Sequence, residues 1–160
     1  MKIYLAGDHA GYRLKAALAE HLPLLGHEVE DLGPHALDPA DDYPDYVTLL
    51  AHAVASNVAA CGIICAGSGE GEAMCANRIR GVRAAVYYGK MRVTEALDKE
   101  GGKSEDGFDI VRLARRHNDA NIFSIGARFI SPEEANEAVR IFLETPFSGA
   151  ERHLRRLAKF

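Results

Sequence analysis

Three groups of residues have the types and spacing that chemistry needs. The first is the run Gly67-Ser68-Gly69-Glu70-Gly71-Glu72. Gly67, Gly69 and Gly71 free the backbone to turn several N–H groups toward one ligand atom. Ser68 adds a hydroxyl. A helix predicted from about Glu72 to Ile79 aims its first N–H groups at the same point, which suits an anion or a developing oxyanion. A carboxylate at Glu72 beside such a cradle is what proton abstraction next to a carbonyl requires. The plainer reading is a flexible turn followed by an acid that the helix dipole stabilises. The run is not the dinucleotide fingerprint, which belongs after a first strand, and it lacks the Gly-Lys-Ser/Thr ending of a P-loop.

The second group is two polar pairs, Asp8-His9 and His117-Asn118. Histidine moves protons near neutral pH, although an isolated histidine commonly serves only as a surface or capping residue. The third group is basic. Arg152 and Arg156 stand four apart, so one helix face presents both guanidinium groups to a single phosphate, or else carries them as a solvated basic surface. His153 and Arg155 add charge around them, and Arg128 is a further basic candidate. Tyr43 closes a sugar pocket or merely starts a helix. Cys61, Cys65 and Cys75 contain no Cys-x-x-Cys pair and read as inert core. No His/Cys/Asp cluster has ligand spacing, so neither a metal nor a cofactor is expected.

The elements that must position these groups follow from periodicity. Lys2–Gly7 (KIYLAG), Glu28–Leu32, Cys61–Ala66 (CGIICA), Arg83–Tyr87 (RAAVY) and Asn121–Ile125 (NIFSI) read as strands. Leu14, Ala17, Leu18, Leu22 and Leu25 recur at helical steps within Tyr12–Leu25, with Pro23 ending or kinking that helix and Gly26 terminating it. Asp45–Val58 carries Val47, Leu50, Ala51 and Val54 on one helical face. Tyr88–Arg116 is expected to hold two helical pieces around an exposed excursion at about 99–107. Ser131-Pro132-Glu133-Glu134 is a helix start, and a last helix is predicted from about Gly149 to Lys159. Strands alternating with helices mean an α/β fold with a parallel sheet covered on both faces. Ligands of such sheets bind beyond the carboxyl ends of the strands, which selects the loops after strands one, three and five. His117 precedes strand five, at the opposite end, so any role for it requires a second subunit.

Composition closes off several classes. The 160 residues, 48% hydrophobic and 26% charged, fit one globular domain with a core of its own. Nineteen basic against twenty-three acidic residues give a net charge of −4, which argues against a nucleic-acid clamp. No apolar run approaches a membrane span, the first residues read as a strand and not as a signal peptide, and the odd cysteine count suits a reducing cytoplasm.

Taken in order, Asp8-His9-Ala10-Gly11, Asp42-Tyr43-Pro44, the glycine run with Ala76-Asn77 behind it, Gly81-Val82-Arg83-Ala84, His117-Asn118-Asp119-Ala120-Asn121, Gly126-Ala127-Arg128, and Thr145-Pro146-Phe147 followed by Arg152-His153 and Arg156 resemble the type B ribose-5-phosphate isomerases. That family includes the galactose-6-phosphate isomerase subunits. The resemblance spans nearly the whole chain and implies a Rossmann-like three-layer α/β/α domain with a five-stranded parallel sheet. It further implies a homodimer, alone or paired into a tetramer, with active sites shared between subunits. The implied reaction is a metal-free aldose–ketose isomerisation of a phosphorylated sugar through an enediolate. By the same resemblance, Glu72 matches the proton-shuttling base and His117 of the neighbouring subunit the acid that opens the furanose ring. The N–H groups of Gly67–Gly71, with Ser68 and Glu70 among them, match the oxyanion cradle. Asp8, Tyr43 and Asn118 match sugar contacts, and His9, Arg128, Arg152 and Arg156 match the phosphate end. The family's other base, a Cys at the end of strand three, corresponds here to Ala66. Cys65 is one residue off and should face the core. The 99–107 excursion and the second carboxylate, Glu70, have no counterpart in that pattern. Ribose 5-phosphate is the expected substrate, with a six-carbon sugar phosphate such as allose or galactose 6-phosphate, or a non-catalytic sugar-phosphate binder, as alternatives.

Overall fold

Six consecutive apolar or small residues, Cys61–Ala66, have no polar face to show to water, and the chain buries all of them as β3, the middle strand of a sheet. The computed structural model describes residues 1–97, 102 and 104–159. Around β3 stand β1 (Lys2–Gly7), β2 (Glu28–Asp31), β4 (Ala84–Tyr87) and β5 (Ile122–Gly126), all parallel, in the order β2-β1-β3-β5-β4. The helices are α1 (Tyr12–His21), α2 (Tyr43–Ser56), α3 (Glu70–Ala76), α4 (Asp109–Asn118), α5 (Pro132–Glu144) and α6 (Glu151–Leu157). On one face of the sheet α1, α4 and α5 bury Leu14, Leu18, Val111, Val139 and Phe142 against Ile3, Leu5, Ile63, Phe123 and Ile125. On the other, α2 and α3 bury Val47, Leu50, Val54 and Ala76 against Ala6, Ile64 and Ile122. The expected three-layer architecture is therefore the observed one.

Several boundaries differ for local reasons. The α1 helix stops at His21, and Leu22–Leu25 continues as a 3₁₀ turn around Pro23 before Gly26 ends it at φ 83°. The α2 helix starts at Tyr43, two residues earlier than predicted, because Pro44 is preorganised for a first turn. At Glu70, also two residues early, α3 begins: Gly69 takes the left-handed conformation before it, and Ser68 Oγ accepts the Glu70 N–H at 3.4 Å. It ends at Ala76 and not Ile79, because the Asn77 side chain pairs with both backbone groups of Ala84 and turns the chain into β4. Residues 88–97 contain no helix, which corrects the expected first helical piece: Lys90 N–H goes to Glu134 Oε1 and Met91 N–H to the Gly107 carbonyl. Of the 99–107 excursion, only residues 102 and 104–107 lie within the described residues. Ser104 N–H donates to the buried Asp109, and Asp106 pairs with Arg112, fastening this stretch to α4.

Candidate active site

The α1 helix leaves β1 toward one face and α3 leaves β3 toward the other, which opens a crevice at the carboxyl ends of the two strands. Two loops meet there. Gly11 passes so close to β3 that a Cβ on it would lie 1.9 Å from the Cys65 carbonyl oxygen. Asp8, almost fully buried, accepts the Gly11 N–H on Oδ1 at 2.9 Å and so closes the first loop on itself. The second loop is tied to β5 by Ser124, whose hydroxyl donates to the Gly69 carbonyl at 2.7 Å. With φ +80° at Gly69 and Ser124 Oγ 2.9 Å from where a Cβ would stand, only glycine fits.

The side chains expected at the carboxyl end do gather around these loops. Tyr43 lays its hydroxyl over Gly71, 2.7 Å from a Cβ placed there, and Arg128 lays its guanidinium over Gly67 at 3.3 Å. Ser68 is exposed, while Glu70 is half-buried in the first turn of α3 and no longer in the loop proper. Glu72 points inward from that turn and is 5% exposed. Burial raises its carboxyl above the ordinary value; its own backbone N–H opposes this and the nearby Asp8 charge adds to it. A carboxylate made more basic is equipped to take a proton from carbon, and the loop N–H groups beside it are equipped to stabilise the oxyanion that results. Cys65 lies in the core, as expected, and burial pushes its thiol far up.

His117, Asn118, Arg152 and Arg156 form a second group elsewhere. His117 and Asn118 end α4 just before β5, at the amino end of the sheet, while the glycine loop follows its carboxyl end. The His117 ring lies against that of His153, centroids 4.2 Å apart and the planes tilted by 36°. His153 is buried and uses both ring nitrogens, with Ser148 Oγ at Nδ1 (2.7 Å) and the Arg152 Nε–H donating to Nε2 (3.1 Å). Burial holds His117 below its ordinary pKa, assisted by His153, Arg152, Arg116 and Arg156. Within one chain the two groups therefore stand at opposite ends of the sheet.

Sequence reasoning missed Ser124 and His153, which position other groups. A lone hydroxyl within the apolar NIFSI strand was the available signal for Ser124, whereas His153 reads as one more basic residue among arginines. Among the described residues no group of three or more His, Cys, Asp and Glu side chains comes together as a metal site, and no helix is long and apolar enough to cross a membrane.

A three-layer α/β sheet with its carboxyl-end crevice and a buried carboxylate after a glycine loop defines a Rossmann-like enzyme-type site. More specifically, the chain belongs to the ribose/galactose isomerase family, whose model matches residues 3–100 and 107–160 and omits the middle of the excursion. It is 36% identical to ribose-5-phosphate isomerase B of Mycobacterium leprae over 157 residues, covering 98% of this chain and 86% of that protein. Among solved structures, ribose-5-phosphate isomerase B of Mycoplasma genitalium with bound ribulose 5-phosphate superposes with a TM-score of 0.84 at 35% identity, covering 99% of this chain and 92% of that one. The Thermotoga maritima ribose-5-phosphate isomerase gives 0.81 at 39% identity, covering 99% and 95%.

Proposed function

We propose that this chain is a single-domain aldose–ketose isomerase that interconverts ribose 5-phosphate and ribulose 5-phosphate. The observation that carries the reading is Glu72: a buried carboxylate, raised in pKa, beside a glycine loop, in a chain that aligns over nearly all of its own length with ribose-5-phosphate isomerases. His117 of the partner subunit, held neutral by burial and its basic surroundings, takes the proton of the anomeric hydroxyl as the C1=O bond forms, and the resulting imidazolium gives that proton to the ring oxygen as the C1–O bond of the furanose breaks. Glu72 then removes the C2 proton of the aldose. The electron pair moves into an enediolate whose oxyanion lies at the N–H groups of Gly67–Gly71. Glu72 returns the proton to C1 while the C2 hydroxyl proton passes to O1, leaving the ketose. Asp8, Tyr43 and Asn118 hold sugar hydroxyls, and His9, Arg128, Arg152 and Arg156 hold the phosphate.

A homodimer is supported by the two separated half-sites and by an apolar cleft of about 530 Å³ along the open edge of β4. Ala85, Val86, Ile110 and Leu113 line it, and it runs to Asn118, next to His117. A second copy seated on that edge covers apolar surface and brings His117 into reach of another Glu72. The three unpaired cysteines suit a reducing cytoplasm. A coupled assay should find turnover of ribose 5-phosphate above that of allose and galactose 6-phosphates, undiminished by a chelator. Preference for a six-carbon substrate would shift the specificity; loss in chelator restored by a divalent ion would end the metal-free scheme; no turnover of any of them would leave a binding protein.

A further inference from the structure

The loop that leads into α2 carries a carboxylate that the reaction scheme does not use. Asp41 is remote from His9 in sequence, yet its Oδ1 receives the backbone N–H of His9 at 3.2 Å and faces the ring Nδ1 at 2.6 Å. The Asp41 side chain is 2% exposed, and its Oδ2 is buried without a hydrogen-bond partner among the described residues. His9 is also the one basic side chain within ion-pair distance of it among those residues. A sealed carboxylate with one oxygen unpaired is costly unless a cation neutralises it.

Two consequences follow from the contact. An ionised carboxylate only accepts, so Nδ1 of His9 must carry a proton, and the ring is held at both its backbone and its side chain. Nε2, on the far side of the ring, is left to meet a ligand on the exposed side of the crevice. The charged groups facing His9 are Asp41, Asp8 and Arg128. The hydrogen bond to Asp41 raises its pKa most, Asp8 adds to that, and desolvation and Arg128 oppose it.

We propose that Asp41 is a positioning residue that keeps His9 oriented and protonated, so that His9 meets the substrate phosphate as a cation beside Arg128. The proposal rests on the assignment of His9 to the phosphate end. The contact shifts toward the cation a ring that is half protonated at its ordinary pKa of ~6.5. A dianionic phosphate gains a charge-assisted hydrogen bond from it.

The test joins an NMR titration of the His9 ring in the free protein to KM for ribose 5-phosphate across pH. In the unmodified protein His9 should titrate above its ordinary range, and in Asp41→Asn, which keeps shape but loses charge, it should titrate lower. Between those two midpoints KM of Asp41→Asn should rise about tenfold with kcat held, and the two proteins should converge at lower pH where His9 is protonated in both. In a His9→Gln background, Asp41→Asn should leave KM unmoved. A purely structural role would raise KM equally at every pH, and that result overturns the proposal. So does a His9 midpoint at or below its ordinary value in the unmodified protein, a measurement that needs no variant to fold. If Asp41 sets the His9 midpoint but His9→Gln leaves KM unchanged, the proposal is also overturned, and the failure lies in the phosphate assignment and not in the Asp41–His9 pair.

Discussion

As the proposed base, Glu72 must be basic enough to take a proton from carbon, and burial raises its basicity by making its charged form costly. The same cost reaches stability. A carboxyl whose folded pKa lies above its unfolded pKa favours the fold below the unfolded value and loses that contribution as pH rises through the folded one. Glu72→Gln removes the charge and keeps the shape. It should therefore melt above the unmodified protein at neutral pH, with the gap closing as pH falls toward ~4.3. Its turnover should drop by at least ~10²-fold with substrate binding largely kept. In the unmodified enzyme kcat should fall as acid protonates Glu72, at a pH above the ordinary carboxylate range. Cys65→Ala, at a thiol sealed in the core, should stay near unmodified turnover. A Glu72→Gln protein that melts lower at neutral pH, or that turns over normally, would remove this residue from the role of base.

At the scale of elements, the glycine loop owes its shape to its neighbours as much as to its glycines. Gly69 stands at φ +80° with its carbonyl held by Ser124 on β5. Gly69→Ala faces a left-handed conformation that costs ~1–2 kcal/mol and a Cβ within 2.9 Å of Ser124 Oγ, so the loop has to shift. Turnover should fall further than the few degrees of melting temperature that this energy represents; normal turnover in a folded Gly69→Ala would mean that the loop's N–H groups do not hold the oxyanion. The strand β3 was legible in the sequence because a parallel strand buried on both faces shows as an unbroken apolar run such as CGIICA, whereas the edge strand β2, EVED, is half exposed and gives only a weak signal. The start of α5 was legible too, since the Ser131 hydroxyl does accept the Glu134 N–H. What local pattern could not carry was anything decided by distant partners. The helix expected after Tyr88 is absent because Lys90 and Met91 bond to Glu134 and Gly107. Nothing near Asp41 in sequence announces His9 as its partner. Of the candidate site, the residues proposed to meet a ligand could be named from motifs, while the contacts that Ser124, Asp41 and His153 make with their neighbours emerge only from packing.

For the whole molecule the decisive fact is the length of β5. His117 stands before Ile122 and the glycine loop lies level with the strand's other end, so the five residues of β5 separate them. At ~3.3 Å per residue the gap is about 17 Å, beyond the reach of any side chain. A chain that works alone therefore cannot bring His117 to its own Glu72. A two-fold dimer can set the amino end of one sheet against the carboxyl end of the other, making two equivalent sites, each with one residue from either subunit. Mixing inactive Glu72→Gln with inactive His117→Ala should then restore activity. Random reassortment makes about half the dimers mixed, and each mixed dimer holds one intact site and one doubly altered site. Activity should recover to about a quarter of the unmodified level if the sites act independently. It should appear at the rate at which subunits exchange and not at the moment of mixing. If exchange is verified and no activity returns, both residues serve sites within one subunit, and the dimer that joins the half-sites is wrong.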